Sequence, residues 1–145
     1  MGQPRQKKAS AQPTARPKLS ICIITFNRAK YLKKTLAHLS FLKTFPFDCE
    51  VLVSDNCSTD ETSAVVAGFM KEFDRLRYMK QTRNVGPEGN MISAFRSAVG
   101  EFVLYLADDD MLIPEAVVSI VRYMEKNRTV VACHAPWEIW NDVTK

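Results

Sequence analysis

The sequence lacks the features that would place it in a membrane or mark it for secretion. It has no apolar run near the roughly 20 residues that cross a bilayer. Its basic N-terminus is followed by a short apolar stretch, residues 19–25, that runs directly into Asn27 and Arg28. That stretch is unlike the longer apolar segment and small-residue cleavage site of a secretory signal. We therefore expect neither a signal peptide nor a membrane-spanning helix.

Glycine is scarce, with five residues in 145, and the glycine-rich loops that bind phosphate are absent. No G-x-G-x-x-G follows the first apolar run, which argues against a dinucleotide-binding domain. No G-x-x-x-x-G-K-[ST] occurs, so the chain is not a P-loop ATPase. The absence of a G-x-S-x-G turn excludes an ordinary α/β-hydrolase.

Cysteine and histidine are also few and are not arranged as metal ligands. The four cysteines contain no Cys-x-x-Cys pair, and neither of the two histidines lies at zinc-ligand spacing from a cysteine. Cys22 and Cys133 lie in apolar runs, where we predict small buried side chains. Unpaired thiols of this kind favour a reducing, cytoplasmic location.

Positive charge is concentrated at the N-terminus. Residues 1–18 hold five basic residues and no acidic one, whereas the remainder has 15 basic and 16 acidic residues. The near-neutral remainder argues against a nucleic-acid-binding face. Residues 1–17 are rich in Pro and Gln, and we predict a disordered basic tail that contacts an anionic surface weakly, at the inner face of the membrane. The domain itself is expected over residues 18–145.

Beyond the tail, apolar strand patterns alternate with helical ones. Strands are predicted over residues 19–25, 50–54, 76–79, 102–107 and 129–134, with amphipathic helices between them. In the third helix, we expect Ile92, Phe95 and Val99 to face inward. This alternation is typical of a three-layer α/β/α domain with a mostly parallel sheet.

Polar residues cluster where these strands end, which is where open parallel sheets bind ligands. Residues 25–28, 55–60 and 83–86 follow the first three strands, and Asp108, Asp109 and Asp110 follow the fourth. Three consecutive carboxylates repel one another unless a cation compensates them. Mg²⁺ or Mn²⁺ would suit them, because such ions take one or two carboxylates and complete their shell with water and phosphate oxygens. The alternative is a solvated turn that caps the next helix.

Three segments, LSICIITFNRAKYLKKTL, EVLVSDNCSTDET and RNVGPEGNMISAFRSAVGEFVLYLADDDMLIPEAV, resemble family 2 glycosyltransferases of the glycosyltransferase A fold. The similarity is greatest to bacterial enzymes that build O-antigen or capsular polysaccharide. It implies a Rossmann-like nucleotide-diphospho-sugar transferase fold that is truncated here, since the acceptor half would lie beyond Lys145.

The resemblance also implies roles for individual residues. Two departures from the family pattern bear on them: Ala107 replaces the first Asp of an Asp-x-Asp-Asp motif, and residues 90–92 read Asn-Met-Ile where many members have Ala-Arg-Asn. The implied nucleotide-sugar-binding residues are Thr25, Phe26 and Arg28 near the base, Asp55 accepting the base N–H, Arg83 and Asn84 in a closing loop, and Asp108 at the ribose, with Asp109 or Asp110 as metal ligand.

The function implied is binding of a nucleotide-sugar donor, typically a UDP-sugar, and transfer of the sugar to a glycan or lipid-linked acceptor. The general base is expected beyond Lys145. Three alternatives remain open at this point: a non-catalytic nucleotide-binding module, a sugar-nucleotidyltransferase, and an adaptor that acts through the basic tail.

Overall fold

The computed structural model describes residues 16–135; residues 1–15 and 136–145 lie outside this description. Strands and helices alternate along the described chain. The strands are β1 (Leu19–Thr25), β2 (Cys49–Asp55), β3 (Leu76–Lys80) and β4 (Phe102–Ala107). The helices are α1 (Ala29–His38), α2 (Thr62–Phe69), α3 (Gly86–Ser97) and α4 (Pro114–Lys126), and a 3-10 helix (Leu39–Thr44) follows α1.

The four described strands form one parallel sheet in the order β3-β2-β1-β4. At the carboxyl end of β1, Thr25 pairs with Asp55; at the amino end, Leu19 pairs with both Cys49 and Phe102. The chain moves outward from β1 to β3 and then returns to the far side of β1 as β4. The strand order therefore reverses between β1 and β4, and the predicted parallel α/β arrangement is confirmed.

Helices α1, α2 and α4 cover one face of the sheet and enclose the larger core. Ile23 and Val53 of the sheet pack there with Leu36 of α1, Val66 of α2 and Val121 of α4, all at most 3% exposed. The apolar runs of β1 and β2 are buried because both of their faces are covered. Within residues 16–135, no helix is long and apolar enough to cross a membrane.

Of the helices within residues 16–135, only α3 lies on the other face, and the prediction for its inward side is wrong. Ile92, Phe95 and Val99 are between 41 and 48% exposed, whereas Asn90 and Ala94 face the sheet. Asn90 exchanges hydrogen bonds with Ser54 of β2, accepting its hydroxyl at 2.6 Å and donating to its carbonyl at 2.8 Å. The small Ala94 lets the helix approach β1, where the Cys22 thiol lies 3.9 Å from the Ala94 carbonyl oxygen. On this face Val103 and Tyr105 of β4 are also exposed.

The predicted fifth strand over residues 129–134 is not formed. Residues 130–135 have irregular backbone, Val131 is 95% exposed, and Cys133 is exposed rather than buried as predicted. A strand needs a partner for its backbone groups, and none of the described strands pairs with the outer edge of β4.

The ordered fold includes the end of the segment predicted to be a tail. Arg16 donates from Nε to the Val99 carbonyl and from a terminal nitrogen to the Gly100 carbonyl, both at 2.8 Å. Pro17 is buried, and its carbonyl accepts the Glu101 N–H at 3.0 Å. Arg16 and Pro17, which precede the boundary predicted at Lys18, thus form hydrogen bonds with the segment that follows α3. The rest of the predicted tail, residues 1–15, lies outside the described residues.

Candidate functional site

A cleft of about 380 Å³ opens at the carboxyl ends of β1, β2 and β4, beside the start of α3. A larger depression, about 550 Å³, lies at the opposite end of the sheet and is lined by Arg16, Lys18, Asp48 and Glu101, among others. Ligands of parallel sheets bind at the carboxyl ends of the strands, where loops and helix N-termini converge. We therefore place the functional site in the smaller cleft.

The turn after β1 is held against the loop after β2. Asn27 adopts the left-handed backbone region (φ 54°), which Asn tolerates better than most residues. Its N–H donates to the Ser58 hydroxyl, and its side-chain oxygen accepts the Thr59 N–H, both at 2.8 Å. These two hydrogen bonds place Phe26 and Arg28 in the wall of the cleft, where Phe26 is 41% exposed.

Asp108 lies at the β4 end of the cleft and is almost fully buried. One carboxylate oxygen accepts the Thr25 hydroxyl at 2.7 Å, and the other lies 2.9 Å from Arg28 Nε without the alignment of a hydrogen bond. Burial raises the pKa of Asp108, as does the neighbouring charge of Asp109, and the Thr25 and Arg28 contacts oppose this rise. The Thr35 hydroxyl donates to the Asp108 carbonyl at 2.8 Å and fixes the turn.

Asp109 is the second carboxylate of the cleft, whereas Asp110 is not part of it. The Asp109 side chain is 45% exposed and pairs with the Arg28 guanidinium, which thereby bridges both carboxylates and offsets the charge of one of them. Asp110 is exposed, does not line the cleft, and is held by its N–H to the Ala107 carbonyl at 3.2 Å. Only the first two members of the acidic triplet therefore line the cleft.

This pair of carboxylates fits a small divalent cation bound together with a ligand. Among residues 16–135, no three His, Cys, Asp or Glu side chains gather as a complete metal site. Mg²⁺ and Mn²⁺ commonly take one or two carboxylates and fill their remaining positions with water and phosphate oxygens. Asp109, half exposed and beside Asp108, offers such an incomplete set.

Asp55 lies beneath the cleft and does not line it. Its side chain is fully buried: one oxygen accepts the Ser58 N–H at 2.8 Å, and the other accepts the Tyr78 hydroxyl at 2.5 Å. Lys80 lies 3.9 Å away. Burial and the hydrogen bond to Asp55 raise the pKa of Tyr78 to about 12. In this structure Asp55 shapes the loop after β2, which includes Cys57 in the left-handed region (φ 69°).

The cleft also contains residues that the sequence analysis missed. Asn56 is buried in its wall beside the expected Asn84, and Asn90, Pro87 and Tyr105 line it too. Strand alternation could have identified Asn56, because side chains two residues apart in a strand lie on the same face of the sheet. Ser54, two residues earlier, lies on the face covered by α3, where it donates to Asn90. The expected Arg83 is exposed and does not line the cleft.

Comparison with known sequences places the chain in a family. The sequence model described as Glycosyl transferase family 2 matches residues 20–144. The chain therefore belongs to the family 2 glycosyltransferases, as the three sequence segments predicted.

Curated relatives include bacterial sugar transferases. The chain is 38% identical over 107 residues to the GalNAc(5)-diNAcBac-PP-undecaprenol beta-1,3-glucosyltransferase of Campylobacter jejuni, which covers 73% of this chain and 34% of that protein. It is 27% identical over 116 residues to abequosyltransferase RfbV of Salmonella typhimurium, covering 79% and 35% of the two chains. The chain thus spans about a third of the length of these relatives.

Solved structures agree with the fold. The structure of residues 1–349 of Staphylococcus aureus TarS in complex with UDP-GlcNAc matches with a TM-score of 0.67 and 29% identity over 77% of this chain and 32% of that one. The predicted glycosyltransferase A fold, a parallel sheet between helices, is confirmed. This chain matches only part of that longer neighbour.

Proposed function

We propose that the cleft binds a nucleotide-diphospho-sugar, a UDP-sugar in the first instance, for transfer to a polysaccharide or lipid-linked acceptor. The observation that carries this proposal is the polarity of the cleft. Carboxylates and Arg28 gather at its β4 end, while an exposed aromatic ring and amides occupy its β1 and β2 ends. The names of the relatives support the reaction class, since the TarS structure contains UDP-GlcNAc and the Campylobacter relative is named for an undecaprenol-linked substrate.

Each part of the cleft then has a role in holding the donor. Asp109 would hold a divalent cation together with the diphosphate; Asp110, outside the cleft, is the alternative ligand. Asp108, immobilised by Thr25, would accept a hydrogen bond from the ribose. Phe26 offers an exposed ring for the base. Arg28 would leave the carboxylates for phosphate oxygens, and Arg83 would approach the nucleotide only if its loop closes.

The proposed reaction is attack of an acceptor hydroxyl on the anomeric carbon, with the nucleoside diphosphate as leaving group. A bound divalent cation would stabilise the negative charge of that leaving group. The cleft residues would position the donor, with Asp108 at the ribose and Asp109 at the cation and the diphosphate. A general base must come within about 3 Å of the acceptor hydroxyl, and we place it beyond Lys145.

We also propose a cytoplasmic location with peripheral contact at the inner membrane face. The basic residues of the tail support this idea, and a lipid-linked acceptor would be presented at the same surface.

Calorimetry with UDP, in Mn²⁺ and in chelator, tests the donor site. We expect tighter binding with Mn²⁺, and we expect Asp109→Ala to weaken it by about 10- to 100-fold, the usual effect of losing a charge-assisted contact. Asp110→Ala tests the alternative ligand: because its carboxylate lies outside the cleft, we expect this variant to bind UDP like the wild type, and a loss of affinity confined to it would assign the metal to Asp110 instead. Equal UDP affinity with and without metal, or equal losses in both variants, would contradict the assignment. Binding of UDP-sugars without transfer by the complete protein would instead support a non-catalytic module.

A further inference from the structure

Side chains of helix α1 bind the backbone of the acidic segment that follows β4. The Thr35 hydroxyl donates to the Asp108 carbonyl at 2.8 Å, and the Asp110 carbonyl lies 3.3 Å from the same hydroxyl. One turn further along the helix, His38 donates from Nε2 to the Leu112 carbonyl at 2.8 Å, since a carbonyl oxygen can only accept. The helix therefore holds this segment at two points.

Thr35 is itself fixed by the core of the domain. It is 1% exposed, and its neighbours Leu32 and Leu36 on α1 are fully buried in the larger core. A helical threonine can donate its hydroxyl to a carbonyl one turn earlier in its own helix. The Thr35 hydroxyl is directed instead at the carbonyls on either side of Asp109. Thr35 therefore connects the core to the residue proposed above to hold the cation.

Asp108 and Asp109 are the two central residues of a tight turn, which we call the acidic turn (residues 107–110). The Asp110 N–H donates to the Ala107 carbonyl at 3.2 Å and closes it. Turns of types I and II differ in the orientation of the peptide between their central residues. Type II places the second central residue, Asp109 here, at positive φ. Asp109 is not among the described residues that have positive φ, so the acidic turn is not of type II.

The hydroxyl of Thr35 holds the very peptide that distinguishes the two types. The Asp108 carbonyl belongs to the peptide that joins Asp108 to Asp109. Turning this peptide over would break its hydrogen bond to Thr35 and move Asp109 into the left-handed region. Asp tolerates that region better than most residues do, so the residue type alone would not prevent the change. A turned peptide would also redirect the Asp109 carboxylate.

We propose, on the basis of the donor site above, that Thr35 is a positioning residue for the cation. Its hydroxyl keeps the acidic turn in the form that places the Asp109 carboxylate in the cleft. Thr35 does not line the cleft, so it acts on a ligand only through the turn. Removing the hydroxyl should therefore weaken the contribution of the cation more than the binding of the nucleotide itself.

Calorimetric titration of the chain with UDP, in Mn²⁺ and in chelator, tests this role. We define the metal gain as the UDP dissociation constant in chelator divided by that in Mn²⁺. Thr35→Val removes the hydroxyl and keeps the branched shape, and it should lower the metal gain by about 3- to 10-fold, the fold-change that one hydrogen bond supplies. Thr35→Ser keeps the hydroxyl and should retain the wild-type metal gain, even where loss of the methyl group lowers the melting temperature.

Ser20→Ala is the matched control for the loss of a buried hydroxyl. Ser20 is fully buried, but its hydroxyl donates to Glu50 at the opposite end of the sheet. This variant should lower the melting temperature and leave the metal gain unchanged. Where Thr35→Val fails to fold, Thr35→Ala, which also lacks the hydroxyl, carries the same expectation.

The proposal is overturned if the variants without a hydroxyl at residue 35 retain the wild-type metal gain. It is also overturned if Thr35→Ser loses the gain as they do, or if Ser20→Ala lowers it equally, because the effect would then follow stability rather than the hydroxyl. If the wild type shows no metal gain, the donor site itself is wrong, and the positioning role of Thr35 fails with it.

Discussion

Glu50 holds the amino-terminal end of the sheet together, and its removal should cost much of the stability of the domain. Its carboxylate is 2% exposed. It accepts the Ser20 hydroxyl at 2.5 Å, the Val99 N–H at 2.8 Å and an Arg77 guanidinium N–H at 3.0 Å. The network therefore links β1, β2 and β3 to the segment that follows α3.

Glu50→Ala would leave three donors without their acceptor. Breaking a buried charged pair typically costs about 3–5 kcal/mol. Water can compensate part of this loss, because the Arg77 side chain is 46% exposed. We therefore expect the lower end of the range, about 3 kcal/mol. At about 4 °C per kcal/mol for a chain of this size, the melting temperature should fall by roughly 12 °C.

The matched control is Glu101→Ala, a carboxylate that pairs with Lys18 and Arg128 at the surface. Its side chain is 30% exposed, and ion pairs at the surface contribute little to stability because water screens them. Thermal melts followed by circular dichroism at pH 7 compare the two variants. The reasoning is refuted if Glu50→Ala lowers the melting temperature no further than Glu101→Ala.

The pH dependence of the Glu50 effect has a definite sign. Burial opposes ionisation, but the hydrogen bonds from Ser20, Val99 and Arg77 outweigh it and lower the pKa of Glu50 below its ordinary value of 4.5. A lowered pKa stabilises the fold fully above the ordinary value, and this stabilisation is lost as pH falls through the folded value. The gap in melting temperature between wild type and Glu50→Ala should therefore be constant near neutrality and shrink below about pH 4.5.

Two further predictions concern the cleft and the tail. Burial raises the pKa of Asp108, so the ionised carboxylate destabilises the fold at a pH above that pKa. Asp108→Asn should therefore melt at or above the wild-type temperature at pH 7 while binding UDP more weakly. A lower melting temperature would contradict this prediction. Deleting residues 1–15 should leave the melting temperature unchanged and abolish salt-sensitive binding to anionic vesicles, because Arg5, Lys7 and Lys8 are removed while Arg16 keeps its bonds to the fold. Vesicle sedimentation at low and high salt checks the second prediction, and vesicle binding that survives the deletion would contradict it.

The sheet could be predicted from sequence because its central strands are buried on both faces. A strand covered by helices on each side reads as an unbroken apolar run, as in residues 19–25, and such runs are hard to confuse with loops. The outer elements were less predictable. Residues 129–134 have strand composition, yet a strand also requires a partner, which composition does not reveal.

Helix α3 shows how periodicity can select the wrong face. Ile92, Phe95 and Val99 have helical spacing, but so do Asn90 and Ala94. Asn90 faces the sheet because it is hydrogen-bonded to Ser54, and the small Ala94 allows close contact. The apolar side chains of Ile92, Phe95 and Val99 stay exposed because α3 does not extend over β4. The position of a helix on the sheet depends on tertiary packing, which the local sequence does not reveal.

The location of the candidate site, at the carboxyl ends of the strands, could be predicted from the sequence. Thr25, Phe26, Arg28, Asn84, Asp108 and Asp109 all line the cleft. Asp55 was expected at the cleft surface because the family resemblance implies that its carboxylate accepts the base N–H. Hydrogen bonds to Ser58 and Tyr78 hold it below the cleft instead, and the Tyr78 contact, from a neighbouring strand, could not be read from local sequence.

The most direct test of the account is where Mn²⁺ binds in the presence of UDP. Paramagnetic broadening of backbone amide signals, with and without UDP, would locate the ion on the chain. The account predicts UDP-dependent loss of signal at residues 25–28 and 107–110, at the carboxyl ends of β1 and β4. Broadening centred on Asp48 and Glu101, at the opposite depression, would contradict the central claim, as would broadening that does not depend on UDP.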